Sequence, residues 1–66
     1  MNYARHIGEY IVAVTREHRI FRGILIDYLT AEENDVESII IRRAQDNQLI
    51  ELPLSDLIST DRASDV

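Results

Sequence analysis

Asp27 and the run Glu32-Glu33-Asn34-Asp35-Val36-Glu37 place five carboxylates within eleven residues. Clustered carboxylates have two chemical uses. Inside an apolar pocket one of them rises in pKa and serves as an acid or base. On a solvated surface they present the charge pattern of phosphates to an arginine- or lysine-lined groove. The neighbours here are polar, which points to the second use. The plain alternative is a solvated hairpin loop, polar because loops face water. Arg16, Arg19 and Arg22 offer the opposite chemistry. If the segments around Glu17-His18-Arg19 pair, these arginines lie close together, with Tyr10 or Phe21 nearby for stacking on RNA bases. Their plain alternative is ordinary hairpin charge balanced by Glu17 or Glu37. Arg42 and Arg43 straddle a strand, point to opposite faces and make no patch by themselves.

Catalysis and metal binding find little support. There is no cysteine, and Ser38, Ser55, Ser59 and Ser64 occupy no nucleophile-elbow context. His6 and Glu9, three apart, can meet on one helical turn, but a metal site needs three or four ligands. His18 sits in an arginine-rich turn, the setting of an ordinary surface histidine. The reading is of a protein that is not an enzyme and takes no cofactor or metal.

The elements that position these residues are strands. Sixty-six residues make one domain, near the lower limit for a self-sufficient core. With 45% apolar residues and no cysteine, that core carries the fold, helped by self-association or not. β-branched blocks alternate with polar turns: Glu9 to Arg16, Ile20 to Leu29, Ser38 to Arg43 and Gln48 to Pro53. Asp46-Asn47 suits a tight turn, since both residues tolerate left-handed backbone. Pro53 to Ile58 reads as one helical or 3₁₀ turn, followed by a brief strand at Ile58 to Thr60. Tyr3 to Ile7 reads as a short helix lidding the barrel, and residues 61–66 as a frayed polar tail. Short strands joined by hairpins indicate an all-β, SH3-like antiparallel barrel of about five strands, a single domain over residues 1–66.

Gly23 interrupts the Ile20 to Leu29 strand. Glycine inside a strand marks a sharp bend or a close approach of another backbone; the bend is the favoured reading. Phe21 and Leu25 share one face while Ile20, Ile24 and Ile26 share the other, so the strand is covered on both sides or meets an interface. Ile39-Ile40-Ile41 is apolar on both faces in the same way, which leaves a monomer and a homo-oligomer paired through sheet edges both open.

Charge divides along the chain. Residues 1–30 hold four arginines against three acids, a net +1, whereas residues 31–66 hold nine acids against three arginines, a net −6. A net of −5 disfavours nonspecific nucleic-acid binding. No apolar run approaches the roughly 20 residues of a membrane span, and no signal-peptide pattern opens the chain. A cytoplasmic location with no membrane partner is the expectation.

Gly8, Ile11, Ala13, the polar turn, then Phe21, Gly23, Leu25 and Tyr28 resemble the first motif of Sm-like proteins. The likeness covers residues 8–29 and implies the Sm-like barrel. That family's RNA-contacting signatures are replaced here by Leu29-Thr30-Ala31-Glu32-Glu33-Asn34-Asp35 and by Leu52-Pro53-Leu54. Within the same barrel class the chain is most similar to Rof-type antiterminators. Gly23-Ile24-Leu25-Ile26-Asp27, Glu37-Ser38-Ile39-Ile40-Ile41 and Leu54-Ser55-Asp56-Leu57-Ile58 carry that likeness. The family's N-terminal helix, with its Cys and Asp-Tyr-Asp, is absent, and Tyr3 to Ile7 stands in its place. The resemblance implies a regulator whose acidic residues bind the terminator Rho where RNA would otherwise sit. The expected function is therefore non-enzymatic binding of a basic nucleic-acid-handling protein, Rho by resemblance, in transcription antitermination. Asp27, Glu32, Glu33, Asp35 and Glu37 form its protein-binding site. The alternatives are direct RNA binding through Arg16, Arg19 and Arg22, or a structural oligomerisation barrel.

Overall fold

A computed structural model of the chain describes residues 1–32 and 35–63. Five antiparallel strands form one sheet: β1 (Tyr10–Thr15), β2 (Ile20–Leu29), β3 (Ser38–Arg43), β4 (Leu49–Pro53) and β5 (Leu57–Arg62). Two 3₁₀ turns, η1 (Tyr3–His6) and η2 (Leu54–Asp56), complete the described elements. Among the described residues, no helix is long and apolar enough to cross a membrane.

The sheet order is β4-β3-β2-β1-β5. β4 and β5 are thus opposite edges, yet η2 joins them with three residues, a reach of about 10 Å. The sheet must curl for this to be so, and backbone bonds fix the curl. Leu54 N–H donates to Glu37 O at 2.9 Å, at the start of β3, while Arg16 N–H donates to Asp56 O at 2.9 Å, just past β1. The result is the small antiparallel barrel that the strand pattern predicts.

Alternation sorts the side chains. Ile11 and Ala13, Phe21 and Leu25, Ile39 and Ile41, and Leu52 are buried together, with Tyr3, Tyr28, Ile50, Leu54 and Leu57 packed against them. The outer face keeps Tyr10, Val12, Val14, Ile24 and Ile40 half-buried, and Ile20 is 53% exposed. The two-sided apolar pattern of β2 and β3 is therefore a core face backed by a partly covered outer face. Among the described residues, two polar groups enter the interior. Thr15 Oγ1 accepts from Arg19 N–H at 3.2 Å. Ser38 is fully buried, and its hydroxyl has no hydrogen-bond partner among the described residues.

At Gly23 the alternative reading, close approach, is the observed one. Pairing runs unbroken through Gly23 to Arg43 and Ile24 to Arg42, and the irregularity falls between Leu25 and Asp27. A Cβ on Gly23 would stand 2.0 Å from the Arg42 carbonyl oxygen. The bulge at Ile26 does the bending, and Gly23 admits the neighbouring strand. Gly8, with φ +93°, needs glycine for a different reason, its left-handed backbone. His18 (φ 67°) and Asn47 (φ 61°) turn the chain between β1 and β2 and between β3 and β4.

The frayed tail is corrected. β5 continues through Asp61 and Arg62, and Ala63 N–H still donates to Tyr10 O at 2.9 Å. Ladder bonds to β1 need only backbone, so polar side chains do not prevent them. The remainder of the expected tail, residues 64–66, lies outside the described residues.

Candidate functional site

The bulge at Ile26 sets the orientation of the first acidic residue. It lets Asp27 stand on the outer face opposite Ile40, while Tyr28 returns to the core side. Ile40 in turn pairs with Glu51 of β4, so Asp27, Ile40 and Glu51 form one cross-strand row on the outer face. Two inter-strand spacings, about 10 Å at the backbone, separate the two acids. Asp27 is exposed, and its Oδ1 accepts from Tyr28 N–H at 2.8 Å.

Glu32, Asp35 and Glu37, all exposed, lie in the β2–β3 connection that continues from this row. Glu33, the remaining acid of the expected site, lies outside the described residues, as does Asn34. Glu37 accepts a hydrogen bond from the Tyr28 hydroxyl. That bond holds the Tyr28 pKa above the ordinary phenol value, with desolvation and the Glu37 charge adding to it. The Tyr28 ring packs on Tyr3 at 5.7 Å between centroids, and Tyr3 Oη is 3.0 Å from Thr60 Oγ1. A chain of contacts therefore runs from the acidic loop across the barrel end to β5, through η1. Among the described residues, Asp27, Glu32, Asp35 and Glu37 form no ion pair.

The three arginines of the alternative site point in different directions. Arg16 Nε donates to the Ser55 carbonyl at 2.7 Å, clamping η2. The Arg19 guanidinium lies 5.1 Å from the Phe21 ring centroid, a cation–π contact. Arg22 alone projects from the outer face, opposite Val12, beside a shallow depression of about 280 Å³ lined by Tyr10, Ile20, Arg43, Ala44 and Gln45. Arg42 shares that outer face, opposite Ile24, while Arg43 turns to Asp46. Arg43 Nε and Nη2 reach the two Asp46 oxygens at 3.0 and 2.8 Å. The hydrogen bonds raise the Arg43 pKa and lower that of Asp46.

Two further ion pairs meet at Glu9. His6 Nδ1 is 3.0 Å from its Oε2, and Arg62 Nε is 2.7 Å from its Oε1. The His6 hydrogen bond, followed by the charge of Arg62, holds the Glu9 carboxyl below its ordinary value against a desolvation that raises it. His6 thus faces a carboxylate, and no group of three or more potential metal ligands occurs among the described residues.

Sequence reasoning took Arg42 only as half of a pair split between two faces and passed over Glu51. Alternation in Gln48 to Pro53 sets Glu51 on the face opposite Leu52, but only the β3–β4 register places it beside Asp27. No protein-family model, curated protein or solved structure matches the chain.

Proposed function

We propose that this protein is a non-enzymatic regulator that presents its acidic margin to a basic groove of a nucleic-acid-handling protein. Rho is the candidate partner that the Rof-type sequence resemblance implies, with antitermination as the consequence. One observation carries the reading. Asp27, Glu32, Asp35 and Glu37 gather at one end of the barrel without ion-pair partners among the described residues. Surface carboxylates outside ion pairs leave a partner's arginines no cation to displace, and they speed encounter through the long-range field.

Direct RNA binding through Arg16, Arg19 and Arg22 has weaker support, because two of the three are engaged within the molecule.

Titrating purified Rho with the protein at low and high salt tests the proposal. The expected result is salt-sensitive binding that competes with RNA. The variant Asp27→Asn/Glu32→Gln/Asp35→Asn should lose about tenfold or more in affinity, with unfolding unchanged because these side chains are exposed. Undiminished binding by this variant would sink the acidic margin as the site. Absence of binding by the wild-type protein would remove Rho as its partner.

A further inference from the structure

The outer face of β1 carries opposite charges on its two flanks, an arrangement the acidic margin does not use. Tyr10, Val12 and Val14 form an apolar ridge pointing away from the core, each half-buried. On one side β2 places Ile24, Arg22 and Ile20 opposite them; on the other, β5 places Asp61 opposite Val12 and Ser59 opposite Val14. Arg22 and Asp61 therefore flank Val12 at the same height, each one inter-strand spacing away, about 5 Å. Both are exposed, and neither side chain has a hydrogen bond or ion pair among the described residues.

We infer that the protein forms a weak two-fold homodimer in which β1 packs along β1 of a second copy, Arg22 of each protomer meeting the partner subunit's Asp61. A two-fold axis along β1, lying in the contact plane, exchanges the strands on its two sides. The β2 flank of one copy then faces the β5 flank of the other, so cation meets anion twice while Val12 and Val14 meet their own copies. An isologous interface requires this self-complementarity. A two-fold running across the strands through Ile24 and Arg42 fails the same requirement, because it sets Arg42 against itself.

The outside of a barrel is convex, so the contact is a strip centred on one strand. That is less than the ~800 Å² per partner of a stable complex, and the dissociation constant is expected on the order of 10⁻⁴ M. Each copy carries a net charge of −5, a long-range repulsion that moderate salt screens.

Sedimentation equilibrium over a wide concentration range, at fixed moderate salt, tests the proposal. Arg22→Glu and Asp61→Arg each turn both cross-contacts into repulsions, so each variant alone should dimerise at least about tenfold more weakly than wild type. Mixed one to one, the two variants should form a heterodimer, since one protomer then carries both acids and the other both arginines. Circular dichroism confirms that each variant folds. A wild type that stays monomeric to about 1 mM overturns the proposal. So do single variants that dimerise like wild type, and weakened variants that fail to pair with each other. No carboxylate of the acidic margin is altered, so the outcome stands apart from the Rho titration.

Discussion

At the β1–β2 hairpin the cations are engaged inside the molecule. Arg16 holds the Ser55 carbonyl, Arg19 lies over Phe21, and only Arg22 stands clear on the outer face. At the far end of β2 the acids face outward from the bulge and the following loop, without ion pairs among the described residues. The same strand thus begins among cations that stabilise the fold and ends among anions that do not. Charge used in packing is not available to a partner, so the count of arginines in a stretch of sequence says little about what that stretch can bind.

The largest effect expected is at Gly23, which joins those two halves of β2. Gly23→Ala drives a methyl into the Arg42 carbonyl at 2.0 Å, a backbone clash no side-chain rotation relieves. Urea unfolding should show a loss of about 3 kcal/mol or more, which for a domain this small approaches the whole stability. A folded variant of near wild-type stability would mean that the two strands separate easily.

The division of labour itself is tested at Arg16 and Arg19. Arg16→Ala should cost about 1 kcal/mol through the lost bond to Ser55, and Arg19→Ala about 0.5 kcal/mol through the lost ring contact. Neither should weaken binding to a basic partner. If binding falls while stability holds, the arginines belong to the interaction surface and the contrast between the two ends collapses.

Next to the acidic loop, Ser38→Ala should raise stability by about 1 kcal/mol, because it removes a buried hydroxyl that has no partner among the described residues. A loss instead would mean that the hydroxyl is satisfied.

The smallest effect concerns Glu9, an ion-paired acid that contrasts with those of the margin. Its folded-state pKa lies below the ordinary 4.5. Its contribution is therefore complete above that value and is lost as pH falls through the lower folded value. Melting temperature followed from about pH 6 to pH 3 should decline less steeply in Glu9→Gln than in wild type. Parallel declines would show that the His6 and Arg62 contacts add nothing to stability.

Strand positions were legible wherever β-branched residues run in blocks. The expected bounds of β2 and β3 coincide with the observed ones, Ile20–Leu29 and Ser38–Arg43. The bulge was not legible, because Ile24, Leu25 and Ile26 are all apolar and no polar residue marks the change of phase. The sequence understates the length of β5 for the opposite reason. Ser59-Thr60-Asp61-Arg62 has no apolar alternation, and its extended form comes from pairing with β1 rather than from its own preference. The acidic loop was visible as composition, but the row that links Asp27 to Glu51 exists only through register across three strands. The arginines looked like a cluster because they are near in sequence; side-chain direction around a turn separates them.

The three-residue link between opposite sheet edges has a consequence for how the chain assembles and fails. β1 pairs with residues 42 to 51 positions away, Thr15 with Leu57 and Ile11 with Arg62, whereas β2, β3 and β4 close by successive hairpins. Loop-closure entropy therefore falls most heavily on β5. When β5 leaves, it uncovers the edge of Tyr10–Thr15, an uncharged β-prone hexamer of the kind that zips into fibrils. With so short a hinge, a departed β5 can also dock on the β1 of a neighbouring molecule, exchanging strands between chains. The last strand to arrive is thus the one that keeps the first from recruiting strangers.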